Sequence, residues 1–213
     1  MKKIKTEKTK INKEQSIMIG SFILILLCSS MIFYELYNRN KADKLNESLL
    51  IEFFEKQEEI KEKEEIIEPV IEEKTKEQVS SEYLGVLKIE KINLIRGFYS
   101  KDSKNNNVNQ NIKLLKESNM PEEENGNIIL AGHSGNSYVS FFKRLSDLSN
   151  GDEAKIYYRE KTYIYSLVNN YEVEKTGSIH ITKDNSKNTL NLITCKHNTN
   201  KQLVFIFELK NIE

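Results

Sequence analysis

The chain has 213 residues, room for one ordinary domain plus extra segments at roughly 100 to 200 residues per domain, which excludes a large multidomain enzyme. Charged residues make up 30%, with 32 basic side chains against 32 acidic ones, and this balance excludes the net basic character of a dedicated nucleic-acid binder. The two cysteines, Cys28 and Cys195, exclude a disulfide framework and a four-cysteine zinc site, so any cysteine chemistry comes from a single thiol.

Residues 1–15 form a basic tail carrying Lys2, Lys3, Lys5, Lys8, Lys10 and Lys13. Ser16 to Tyr34 then holds no charged residue over 19 positions, about 28 Å of helix and close to the ~30 Å hydrocarbon thickness of a bilayer. The pattern predicts a transmembrane anchor over 16–34. A cleaved signal peptide is the competing reading, but its apolar region would be shorter and end in a small-residue cleavage site. Here Met31, Ile32, Phe33 and Tyr34 follow Ser29-Ser30. The lysines before the anchor predict a cytoplasmic N-terminus and an external remainder. Cys28 reads as filler of the membrane helix, because Leu27 precedes it where a lipid-attachment motif needs a small residue.

Residues 35–80 are a Glu/Lys-rich spacer of strong helix formers, with Pro69 near its end. Leu45, Leu49, Phe53, Ile60 and Ile67 make one irregular apolar stripe, fit for a short coiled coil or for packing on the following domain, but the plainer reading of the segment is a solvated helical stalk ending near Pro69. From 81 onward the composition changes to short apolar runs broken by Asn, Gly, Asp and Ser. Strands are expected at Tyr83 to Lys91, Ile92 to Tyr99, Gly126 to His133, Glu153 to Glu160, Lys161 to Glu174, Asn188 to Cys195 and Lys201 to Lys210. Ile112 to Ser118 and Ser140 to Leu148 read as short helices. The expected fold of 81–213 is mainly β, a barrel or sandwich of about eight strands with one or two short helices.

Histidines occur at 133, 180 and 197. His133 ends the apolar strand NIILAGH and Cys195 ends TLNLITC, so each chemically capable side chain is delivered by a core strand to a loop mouth. A rigidly supported thiol with a base in reach is what a cysteine nucleophile needs. A plain buried thiol and a histidine bonded to a carbonyl are the structural alternative. His197, two residues beyond the cysteine, is an alternative base or half of a metal site. His180, within GSIHIT, reads as a solvent-facing strand residue.

The motifs LAGHS (Leu130 to Ser134), FFKRLSDLSNGDEAKIYY (Phe141 to Tyr158) and TLNLITC (Thr189 to Cys195) together resemble the sortases, membrane-anchored cysteine transpeptidases of Gram-positive bacteria. The resemblance runs over roughly Tyr83 to Glu208. It implies a sortase-type β-barrel preceded by the transmembrane helix and helical stalk, with His133 as the family histidine and Cys195 as the nucleophile. It implies a sorting-signal peptide as substrate, a thioester on Cys195, and an amine on a cell-wall precursor or a pilin as acceptor. Neither a cofactor nor nucleic acid is implied, and calcium dependence is not legible.

The family arginine is expected at the start of the strand after the cysteine. Arg39, Arg96, Arg144 and Arg159 are the four arginines, and all precede Cys195. Lys201 is assigned to that slot, with Gln202 as the second possibility. Lysine keeps the charge but loses the planar fork of donors. A sortase-fold module that binds sorting peptides or assembles surface proteins without efficient turnover is the alternative function.

Overall fold

The computed structural model describes residues 12–64, 82–181, 184 and 186–213. Most of the basic tail, the end of the spacer with Pro69, and Ser80-Ser81 lie outside the described residues.

Anchor and stalk form one helix. α1, Lys13–Glu64, runs 52 residues without a break, about 78 Å at 1.5 Å per residue. It has no internal glycine beyond Gly20, and no proline, so nothing in its sequence interrupts the i to i−4 ladder. It is the one helix among the described residues long and apolar enough to cross a membrane.

Eight strands follow: β1 Gly85–Ile89, β2 Leu94–Phe98, β3 Lys113–Leu114, β4 Asn127–Ala131, β5 Glu153–Tyr158, β6 Lys161–Glu174, β7 Thr189–Cys195 and β8 Lys201–Ile212. They form one sheet in the order β2-β1-β5-β6-β8-β7-β4-β3, curled into a nearly closed barrel. Leu94 and Phe98 on one edge strand share a buried cluster with Leu114 on the other, together with Leu130, Leu192, Phe205 and Phe207. Burial of apolar surface on one face therefore draws the two sheet edges towards a common interior.

The seven strands expected from the pattern are all present. The eighth, β3, corrects the helix expected over Ile112 to Ser118. Ile112 and Leu114 are both fully buried, which is a period of two. The buried Asn106 side chain accepts from Leu114 N (2.8 Å) and donates to Leu114 O (2.9 Å), taking the backbone groups a helix would need. Ser140 to Leu148 is likewise a set of turns ending in a short 3-10 helix, Leu145–Asp147, with Phe142 and Leu145 buried in the core. A second 3-10 turn, Glu90–Ile92, joins β1 to β2.

The stalk meets the barrel through residues beside the apolar stripe: Leu45 and Ile60 of the stripe are exposed, Leu49 and Phe53 are half-buried, and Ile67 lies outside the described residues. Asn46 is buried and accepts from the Tyr83 hydroxyl at 2.9 Å, Asp43 pairs with Arg96 at 3.2 Å, and the rings of Phe54 and Tyr157 meet edge to face at 5.2 Å. A methyl group at Gly97 would lie 1.9 Å from the Tyr83 ring, so only glycine lets that ring lie flat on β2 beneath the helix. Burial, above all, pushes the Tyr83 hydroxyl well above the ordinary phenol range.

Candidate active site

The site is built where β4 and β7 end. These two strands are parallel neighbours in the register Asn127↔Thr189 through Ala131↔Ile193. Two residues past the last pair, on adjacent strands, stand His133 and Cys195. Hydrogen bonding continues beyond the ladder: Gly132 N donates to Ile193 O at 3.1 Å, the Thr194 hydroxyl donates to Gly132 O at 2.8 Å, and the Ser134 hydroxyl donates to the Cys195 carbonyl. The imidazole and the thiol thus leave the same end of the sheet from chain segments held together on both sides of His133. Strands lie about 4.8 Å apart in this direction.

Both side chains are half-buried, neither sealed in the core nor carried out on a loose loop. Leu130 and Leu192 point into the barrel, so the alternation puts Ala131, Ile193 and Cys195 on the opposite face. Gly132 explains the tight His motif: a methyl there would lie 2.8 Å from the Phe142 ring. Phe142 N in turn donates to His133 O at 3.0 Å, which links LAGHS physically to the phenylalanine segment that follows it.

The histidine ring has a partner that sequence reasoning missed. His133 Nε2 lies 3.1 Å from Asn109 Oδ1. Asn109 sits in an asparagine-rich run that reads as turn chemistry, and no local signal marks one of those asparagines as facing the histidine. Ser134, next to His133, was also missed as a support for the Cys195 backbone.

Across the β7–β8 hairpin the register is Cys195↔Gln202 and Thr194↔Leu203. Residues directly opposite in an antiparallel pair project to one face, so Gln202 shares the face of Cys195. Lys201 alternates to the other face with Leu203, and its ammonium pairs with Glu172 Oε2 at 3.3 Å. Lys196 binds the same carboxylate. Hydrogen bonds from Lys196 first, and then Lys201, hold the Glu172 carboxyl below the usual carboxylate range. The structure therefore brings Cys195 together with Gln202, and sets Lys201 one position off, in an ion pair.

His197 lies in the turn between β7 and β8 rather than on an extended strand, with its Nδ1 3.8 Å from where a side chain at Gly135 would begin. His180 is exposed and belongs to no strand; its carbonyl accepts from the Tyr171 hydroxyl at 3.3 Å. A cleft of about 510 Å³ opens beside the thiol, lined among others by Ser134, Phe142, Arg144, Cys195, His197 and Leu203.

An eight-stranded barrel with a cysteine and a histidine on neighbouring parallel strand ends defines a class. The sortase domain model matches residues 87–209, more than half of the chain, and the chain belongs to the sortase family. Among curated proteins it is similar to sortase D of Bacillus subtilis, 30% identical over 115 residues, which cover 52% of this chain and 53% of that protein. The chain thus spans about half the length of the curated relative it matches. Among solved structures it resembles a Clostridium perfringens sortase D5 transpeptidase, with a TM-score of 0.58 at 21% identity over 78% of this chain and 98% of that one. It also resembles a lid mutant of Corynebacterium diphtheriae sortase A, with a TM-score of 0.55 at 19% identity over 62% of this chain and 72% of that one. These likenesses show the fold.

Proposed function

We propose that the chain is a membrane-anchored cysteine transpeptidase that cleaves a sorting-signal peptide through a thioester on Cys195 and passes the acyl group to an amine of a cell-wall precursor or pilin. The observation that supports this reading is the parallel β4–β7 register, whose last pair is Ala131↔Ile193, with His133 and Cys195 each two residues further along their own strand. The thiolate of Cys195 attacks the scissile backbone carbonyl. His133 protonates the departing amine and later takes a proton from the incoming one. The helix α1 holds the barrel at the membrane, with the basic tail on the cytoplasmic side and the site outside.

The tetrahedral oxyanion needs donors. Gln202, directly across from Cys195, offers a side-chain N–H on the same face, and Lys201 offers charge only after release from Glu172. For the arginine slot the β7–β8 register favours Gln202, directly across from Cys195, over Lys201.

The test is to incubate the full chain in detergent with a panel of sorting-signal peptides and a primary amine, and to look by mass spectrometry for an acyl adduct on Cys195. An adduct that disappears in Cys195→Ala supports the reading. If no peptide gives an adduct, and a thiol reagent modifies Cys195 no faster than free cysteine, the enzyme reading fails. A second reading, a sortase-fold module that binds sorting peptides without turnover, is favoured by the pairing of Lys201 with Glu172. It predicts peptide binding that is unchanged in Cys195→Ala.

A further inference from the structure

The loop between β2 and β3 contains five asparagines, Asn105, Asn106, Asn107, Asn109 and Asn111, and three of them build it. Asn106 is buried and clamps both backbone groups of Leu114 while also donating to Lys101 O at 3.2 Å. Asn111 is buried and donates to Gly97 O at 2.8 Å, which ties the loop to β2. Asn107 accepts from the backbone N–H of Asn109 through its side chain at 3.0 Å, and its carbonyl accepts from the backbones of Gln110 and Asn111. The fourth, Asn109, is exposed, plays no part in this scaffold through its side chain, and meets His133 Nε2 at 3.1 Å.

We infer that Asn109 is a positioning residue for His133. A carbonyl oxygen accepts only, so Asn109 Oδ1 requires the proton to sit on Nε2 of the imidazole. In the neutral ring that leaves the Nδ1 lone pair as the basic site; in the imidazolium, Nδ1–H is the proton to be given. The same bond fixes the plane of the ring. Asn109 therefore acts on His133 and not on substrate, as the outer partner of a histidine does wherever one nitrogen must be kept for chemistry. The rigidity of the loop is what gives the bond value, because an acceptor on a mobile segment would follow the ring instead of holding it.

The inference deepens the transpeptidase reading and rests on it for its kinetic arm; its structural arm stands alone. With the full chain labelled with ¹⁵N-histidine in detergent, the His133 resonances, assigned against His180→Gln and His197→Gln, report the tautomer directly. The expected result is the Nε2–H form in the wild type, a mixture in Asn109→Ala, and the Nε2–H form again in Asn109→Asp, which keeps the acceptor. Because the Asn109 side chain is exposed and its backbone bond to Asn107 survives substitution, both variants fold. In the peptide assay Asn109→Ala should lose about ten- to a hundredfold in kcat with KM little changed, the value of one hydrogen bond to an ionised group. Asn109→Asp, which keeps the acceptor, should recover kcat. Asn109→Ala with an unchanged tautomer and an unchanged kcat overturns the inference while leaving the transpeptidase intact. A wild type without turnover instead removes the transpeptidase reading, and the tautomer measurement still decides the role of Asn109.

Discussion

The slot across from Cys195 separates what two neighbouring residues can do. Gln202 pairs with Cys195 and shares its face, whereas Lys201 pairs with Glu174 across to β6 and binds Glu172. A neutral amide donor on the correct face outweighs a cation on the wrong one, because oxyanion stabilisation depends on where the donor points. Gln202→Ala is therefore expected to lower kcat about a hundredfold, the usual scale for one oxyanion donor, and Lys201→Ala to lower it less; steady-state kinetics on a peptide shown to acylate Cys195 measures both. If Lys201→Ala is the more damaging, the ammonium leaves Glu172 during turnover and the order is reversed. From the sequence alone Lys201 and Gln202 are both admissible, since the difference between them is one residue of register, and register is a property of the β7–β8 pairing.

At the scale of elements, the long apolar runs were legible and the short polar-supported ones were not. TLNLITC and KTYIYSLVNNYEVE carry enough buried residues to declare their strands, and β6 spans the expected Lys161–Glu174. β3 is two residues long and owes its extended form to a side chain eight positions earlier. Asn106→Ala leaves Leu114 N–H and C=O unpaired in the core, so it should cost about 2 to 6 kcal/mol at roughly one to three per orphaned buried group. Chemical denaturation of the detergent-solubilised chain reads this loss; an unchanged midpoint would mean that β3 holds its shape without the clamp. His133 and Cys195 were visible as strand ends, but only the parallel crossover from β4 to β7 makes them neighbours. Asn109 was invisible because its role comes from a loop folding back across the sheet edge.

Over the whole molecule, the continuous α1 makes anchor and stalk one mechanical unit, and the barrel docks on it near residues 43–56 through Asp43, Asn46, Phe54 and Lys56. From Tyr34 to Asp43 is nine residues of helix, about 14 Å, so on the proposed membrane-anchored reading the barrel would sit close to the bilayer surface instead of at the end of an extended tether. All of this architecture serves the account only if the thiol and the imidazole act as a pair. The direct measurement is the rate at which iodoacetamide alkylates Cys195 between about pH 6 and pH 9, made in a Cys28→Ser background so that one thiol remains, with and without His133→Ala. The paired thiolate is expected to react several-fold faster at neutral pH with His133 present, the advantage shrinking as the pH rises and every thiol ionises. Curves that superimpose across the whole range would contradict the pairing of Cys195 with His133.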